Sequence, residues 1–259
     1  MSKDFLRTAI SAARQAGAVH KKYFNTKFKI RKKSTSFDLV TVADIEAEKK
    51  IVSVIKNNFK GHNFLCEENK YAPRESEYTW IIDPLDGTNN FASGLPIFSA
   101  SVALAKKDQL IAGAVYDVTR DELFYAQKGK GAYLNGRKIS VKKISNLQEA
   151  LLITGFYYDR GREMFENLEK IKQFFLKRII GLRRLGSAAL DLCYVASGRA
   201  GGYWEFELSP WDFAAGALIV SEAGGKVTAR HGEKFPLGKS PIVASNGLLH
   251  KKMLKIINS

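Results

Sequence analysis

Between residues 98 and 139 the sequence changes period. The runs SASVALA, LIAGAVYD and ELFYAQK are rich in strand-forming residues and separated by polar turns, and Asn135-Gly136 is a strong two-residue hairpin signal. An antiparallel meander of this kind must bury at least one face, so the rest of the chain has to supply its cover. The flanking text is suited to that. Residues 4 to 24 place Phe5, Ala9, Ala12, Ala13 and Ala16 at helical spacing, and a second helix is predicted over 42–59 with Ile45, Val52, Ile55 and Phe59 on one face. Short strands are predicted at 64–66 and 80–82, each ending on acids. Beyond residue 150 helices (near 162–177, 187–197 and 210–223) alternate with strands (203–206 and 241–244), and a last helix reaches the C-terminus. Helices layered on part-antiparallel, part-mixed sheets make the chain α+β or α/β. With no internal repeat or linker, residues 1–259 read as one unit with an α+β half (1–150) and an α/β half (151–259).

Composition narrows the class. The chain is 45% hydrophobic and 26% charged, enough for a real core, and no apolar run approaches the ~18 residues of a membrane span. The N-terminal MSKDFLRTAISAARQAG reads as an amphipathic helix and not a secretion signal. Cys66 and Cys193 suggest core residues in a reducing cytoplasm. The four histidines, at 20, 62, 231 and 250, have no metal-binding spacing and are expected on the surface or in loops. A net charge of +15, clustered at residues 27–33, 128–130, 137–143 and 177–184, would attract phosphate-bearing molecules or nucleic acid but names no partner.

The acids carry the chemistry. Asp44, Glu67, Glu68, Asp83, Asp86 and Asp212 all follow strands or open helices. Asp44 in TVAD and Asp212 in SPWD fit the capping-box pattern, which gives both a structural reading. In WIIDPLDGTNNF, Pro84 should take the chain out of the sheet and leave Asp83 and Asp86 facing one edge. Mg²⁺ takes oxygen ligands and only one or two protein carboxylates per ion, so four or more gathered acids suit two or three ions. Gly87-Thr88 and Gly186-Ser187, each at a helix start, offer backbone N–H groups to a phosphate.

WIIDPLDGTNNF resembles the signature W-[IV]-[IV]-D-P-[IL]-D-G-T-x-N-[FY] of the inositol monophosphatase family, and PWDFAAGALIVSEAGG resembles its second signature. DLVTVAD, FLCEEN, RRLGSAALDLCYVASGRA and GGYWE follow the family order, so the likeness runs along the whole chain and looks most like the bacterial cytoplasmic branch. Asn89 departs from the Thr or other small polar residue of many members.

The resemblance implies an αβαβα sandwich, a homodimer, and Mg²⁺-dependent, Li⁺-sensitive hydrolysis of myo-inositol 1-phosphate or a related sugar phosphate. Fructose 1,6-bisphosphate, histidinol phosphate and 3′-phosphoadenosine 5′-phosphate are alternatives. It implies metal ligation by Glu67, Asp83, Asp86, Asp212 and the Leu85 carbonyl, with Thr88 completing one shell. Asp44 and Thr88 would orient the attacking water. Gly87, Thr88, Gly186, Ser187 and Ala188 would line the phosphate site, and Glu205, with the metal ligands Asp86 and Asp212, would meet substrate. The branch includes a member with a role in ribosomal RNA transcription, so contact with RNA or a transcription factor through basic residues is a second expectation, with Arg183 and Arg184 the candidates at an interface. Tyr157, Tyr158 and Arg160 are candidate specificity groups.

Overall fold

The computed structural model describes residues 4–26, 30–32, 39–156 and 161–259. Tyr157, Tyr158 and Arg160, and Lys27, Lys29 and Lys33 of the first basic cluster, lie outside the described residues.

In chain order the elements are α1 (Phe5–Tyr23), β1 (Ile30–Lys32), β2 (Leu39–Thr41), α2 (Val42–Asn58), β3 (Asn63–Cys66), β4 (Tyr78–Asp86) and the one-turn α3 (Thr88–Ala92). Strands β5 (Ser99–Lys106), β6 (Gln109–Asp117), β7 (Glu122–Gln127), β8 (Ala132–Leu134) and β9 (Arg137–Ile139) form the expected meander. Then come β10 (Leu151–Thr154), α4 (Arg162–Leu176), β11 (Gly181–Arg183), α5 (Ala188–Ala196), β12 (Gly202–Leu208), α6 (Pro210–Glu222), β13 (Lys226–Thr228), β14 (Ser240–Ser245) and α7 (His250–Ile257). Asn135 and Gly136 both have positive φ, as the predicted tight hairpin requires.

These elements stack in five layers. The alanine stripe of α1 and the Ile51, Val52 and Ile55 face of α2 pack on one side of a seven-stranded sheet, order β3-β4-β5-β6-β7-β8-β9. Strand alternation feeds both sides of that sheet: Trp80 and Ile82 point toward α1 and α2, and Ile81 points into the next layer. That layer holds α5 and α6, whose small residues let two sheets close on them; a Cβ on Gly113 of β6 would lie 3.1 Å from Ala215 Cα of α6. The fourth layer is a five-stranded sheet, order β11-β10-β12-β14-β13. The fifth is α4 and α7, joined to it through Phe174, Trp204, Met253 and Ile257. This is the αβαβα sandwich expected.

The histidine reading needs correction at two positions, while His62 and His231 do lie in loops. His20 and His250 are fully buried, and His62 stacks on Phe59 and Tyr78 with ring centroids 4.7 and 4.8 Å apart. Only His231 is exposed. Both cysteines are free and buried, as expected. Among the described residues no helix is long and apolar enough to cross a membrane.

Candidate active site

Residues three apart on a regular strand point to opposite faces, which should separate Asp83 from Asp86. Strand β4 avoids this with one extra residue: Asp83 pairs with Ser101 and Asp86 with Ser99 of β5, three steps against two. The bulge restores the parity of the two side chains. The chain therefore does not leave the sheet at Pro84, as its sequence suggested; the strand runs on to Asp86, with Pro84 in the bulge where no ladder N–H is needed. His20, from α1, lies with Nε2 2.7 Å from the Pro84 carbonyl oxygen and so holds the bulge from behind. Desolvation drops its pKa to about 4, so at neutral pH the ring is uncharged and Nε2–H donates.

Both capping acids close their helix caps, and Asp44 does a second thing at once. Asp44 Oδ2 accepts from the Thr41 N–H and hydroxyl at 2.7 and 2.6 Å, closing the capping box of α2. Its Oδ1 accepts from the Thr88 hydroxyl at 2.9 Å, a hydroxyl also 2.9 Å from the Leu85 carbonyl. Asp212 Oδ2 accepts the Ser209 N–H at 2.7 Å and closes the box of α6. Asp83 Oδ1 accepts the Leu85 N–H at 2.9 Å.

The Gly186-Ser187 cradle turns inward. Asp86 accepts the Ser187 hydroxyl at 2.5 Å and the Ala189 and Ala188 N–H groups at 2.8 and 3.2 Å, so its carboxylate caps α5 from a distant strand. At Gly87 φ is +95°, and a Cβ there would lie 2.9 Å from the Ile97 carbonyl, so only glycine fits the approach of the two loops.

Burial and like charge work against the ionised form of these acids. Asp83 is held well above the usual carboxylate range, first by desolvation and then by Glu67, Asp86 and Asp212. Asp212 is raised likewise, by desolvation and then Glu67 and Asp86. Asp86 rises to about 6 through desolvation, against the pull of Ser187 and Ala189. Among the described residues no three His, Cys, Asp or Glu side chains close around a single point. That is not the cage of a structural zinc. It suits hard ions that take one or two carboxylates each and complete their shells with water and phosphate, and Glu67, Asp83, Asp86, Asp212 and the Leu85 carbonyl are all oxygen donors of that kind.

Beside the acids a cleft of about 590 Å³ opens to solvent, lined by Asp86, Gly87, Gly186, Ser187, Ala188, Glu205 and Asp212 among others. All seven were expected at the site from sequence. Glu205, raised to about 7 chiefly by burial, accepts the Tyr203 hydroxyl at 2.7 Å. Arg184 also borders the cleft, at its exposed rim, where the sequence placed it at an interface. Arg183, the last residue of β11, does not line the cleft, and Arg184 lies just beyond the strand.

Sequence reasoning missed three supporting residues. Glu48 is buried one turn beyond Asp44 on α2 and accepts from the Glu68 N–H, Asn69 Nδ2 and the Tyr71 hydroxyl at 2.9, 2.7 and 3.3 Å, gripping the segment after Glu67. Two acids at i and i+4 on a buried helix face were the available signal. Asn90 Nδ2 donates to the Ile97 and Leu185 carbonyls, both at 2.7 Å, tying the two glycine loops together. Asp191, on α5, is buried at the cleft wall.

The sequence profile of the Inositol monophosphatase family matches residues 1–259. The chain belongs to that family. It is 42% identical over 257 residues to the putative Nus factor SuhB of Neisseria meningitidis, covering 98% of each. It is 45% identical over 228 residues to the chloroplastic phosphatase IMPL1 of Arabidopsis thaliana, covering 85% of this chain and 61% of that protein. The crystal structure of the Bartonella henselae suppressor protein SuhB superposes with a TM-score of 0.93 at 35% identity over 98% of both chains. An IMPase/NADP phosphatase solved with Mg²⁺ and phosphate gives a TM-score of 0.83 at 27% identity, covering 95% of this chain and 92% of that one.

Proposed function

We propose that this family member is a Mg²⁺-dependent phosphomonoesterase that hydrolyses myo-inositol 1-phosphate or a related sugar phosphate. The observation that carries the reading is the β4 bulge, which turns Asp83 and Asp86 to one side, next to Glu67 and Asp212. Those four carboxylates and the Leu85 carbonyl would hold two or three Mg²⁺ ions, with Thr88 beside them. When bound, the ions supply Lewis-acid activation of water and neutralise charge on the phosphoryl oxygens. Asp44 Oδ1 holds the Thr88 hydroxyl hydrogen, so the Thr88 oxygen turns its lone pairs to the water that attacks phosphorus. As the water's proton passes to Thr88 Oγ1, the hydroxyl's own passes to Asp44 Oδ1. The cleft wall around Gly186 and Glu205 positions the ester, and positioning with charge neutralisation is most of what phosphoryl transfer needs.

A relative from Aquifex aeolicus is named fructose-1,6-bisphosphatase/inositol-1-monophosphatase, which keeps the bisphosphate in view. A panel of inositol, fructose, histidinol and nucleotide phosphates, each with Mg²⁺ and with EDTA, tests the reading. Mg²⁺-dependent phosphate release with highest kcat/KM on a cyclic polyol monophosphate is expected, with inhibition by Li⁺. Equal release in EDTA refutes it.

Two assembly readings accompany this one, in a cytoplasmic setting. Phe165, Leu168, Phe175 and Leu176 share one exposed arc of α4, opposite its buried Asn167, Lys170 and Phe174, and Ile180 follows them; a second copy of the chain is the occupant proposed for this face. The SuhB relatives named as Nus factors, with the charge of +15, favour a further role in contact with RNA or transcription factors. Salt-sensitive association with such partners tests that role.

A further inference from the structure

The catalytic acids explain one side of the cleft and leave Asp191 on the other unexplained. Asp191 lies in the first turn of α5 and is 1% exposed. An acid there ordinarily serves the helix N-terminus, but that duty is already filled, because Asp86 takes the Ala188 and Ala189 N–H groups. Asp191 Oδ1 is buried without a hydrogen-bond partner among the described residues. A buried acid oxygen without a partner is uncommon and asks for one, and Asp191 lines the cleft.

Its surroundings define what that partner is. Glu205 lines the same cleft, with the Tyr203 hydroxyl on its Oε2 at 2.7 Å. Gly155 leaves room for that carboxyl, since a Cβ there would sit 1.8 Å from Glu205 Oε2. Arg184 stands at the rim and pulls on both acids electrostatically. Phe156 and Leu208 add apolar surface. Two carboxyl groups in one wall are badly suited to a second phosphate and well suited to hydroxyl groups, which both donate and accept. The apolar pair suits the C–H face of a ring.

Resting on the phosphatase reading above, we propose that Asp191 is a specificity-determining residue that hydrogen-bonds a hydroxyl of the ester's alcohol part, beside the hydroxyl taken by Glu205. The substrate class is then a polyol monophosphate with neighbouring free hydroxyls. Asp191 Oδ1, buried and without a partner among the described residues, accepts that hydroxyl's hydrogen. An asparagine at 191 keeps an acceptor oxygen, and a leucine has none.

The test measures kcat/KM with Mg²⁺ for wild type, Asp191→Asn and Asp191→Leu on two esters: inositol 1-phosphate, rich in hydroxyls, and 4-nitrophenyl phosphate, which has none. The ratio of the two values is expected to fall at least tenfold in Asp191→Leu and to stay within threefold of wild type in Asp191→Asn. Should the leucine variant not fold, Asp191→Ser, whose side chain is too short to reach, replaces it. An equal loss on both esters overturns the inference while leaving the phosphatase reading in place. So does a ratio in Asp191→Asn as low as in Asp191→Leu. Wild-type inactivity on both esters brings down the phosphatase reading, and the inference with it.

Discussion

Asp86→Asn sets two effects of known sign against each other. The carboxylate accepts three hydrogen bonds, and an amide must turn its NH₂ toward at least one donor, which costs about 1–3 kcal/mol. In wild type, however, Asp86 rises from an ordinary 3.8 to about 6 on folding, because burial penalises its charge. A group whose pKa is raised by folding contributes stability that is complete below its unfolded value and lost as pH climbs through its folded value. At about 1.36 kcal/mol per pH unit, that loss is roughly 3 kcal/mol between pH 4 and pH 7.5. The asparagine has no charge to penalise. In metal-free buffer the variant should therefore be less stable than wild type at pH 4 and close to it, or slightly more stable, at pH 7.5. With about 2–4 °C per kcal/mol for a chain of this size, the difference in Tm should swing by about 6–12 °C. His20 and His250, both lowered to about 4 by burial, make both proteins more stable as pH rises from 4 to 6.5, but this cancels in the difference. Thermal melts of the two proteins across pH 4–8 in chelator provide the measurement. A Tm difference that does not move with pH would refute the claim that burial penalises the charged form of Asp86.

Further outcomes follow from the same geometry. Asp212→Asn keeps an oxygen for the Ser209 N–H, so a loss of at most ~1 kcal/mol is expected in a metal-free melt, with turnover down by orders of magnitude in a phosphate-release assay. Arg184→Ala should raise KM about fivefold, a loss of ~1 kcal/mol in transition-state binding, because its side chain borders the cleft; Arg183→Ala should leave kcat/KM within threefold. Gly155→Ala forces Glu205 to move, since the new Cβ would lie 1.8 Å from Oε2; KM for a polyol phosphate should rise at least tenfold with little change in Tm.

Much of this was written in local pattern. The period-2 runs at 98–139 and the Asn135-Gly136 turn gave the meander, and the capping-box spacing put Asp44 and Asp212 at helix starts, where both are found. What local pattern could not show is whatever depends on strand register. Pro84 reads as the end of a strand, and only the pairing with β5 reveals that it fills a bulge. Burial of histidines is equally non-local. His20 has no metal spacing in its own segment, and its partner is a carbonyl 64 residues away. From sequence Arg184 reads as an interface residue and Asp191 is not singled out at all, and only the closing of the two sheets around α5 brings both to the cleft. Glu205 is picked out only through the family resemblance, since it lies within β12, whose neighbours are set by the fold and not by adjacent sequence.

The central claim is that the gathered carboxylates work through divalent cations. It is tested most directly by phosphate release from inositol 1-phosphate at pH 7.5, after exhaustive chelation and again on titrating Mg²⁺ back. Release should vanish in chelator and return in full with Mg²⁺, and the same titration on Asp83→Asn should return almost none. Undiminished release in chelator, or an Asp83→Asn variant that responds to Mg²⁺ as wild type does, would contradict the account.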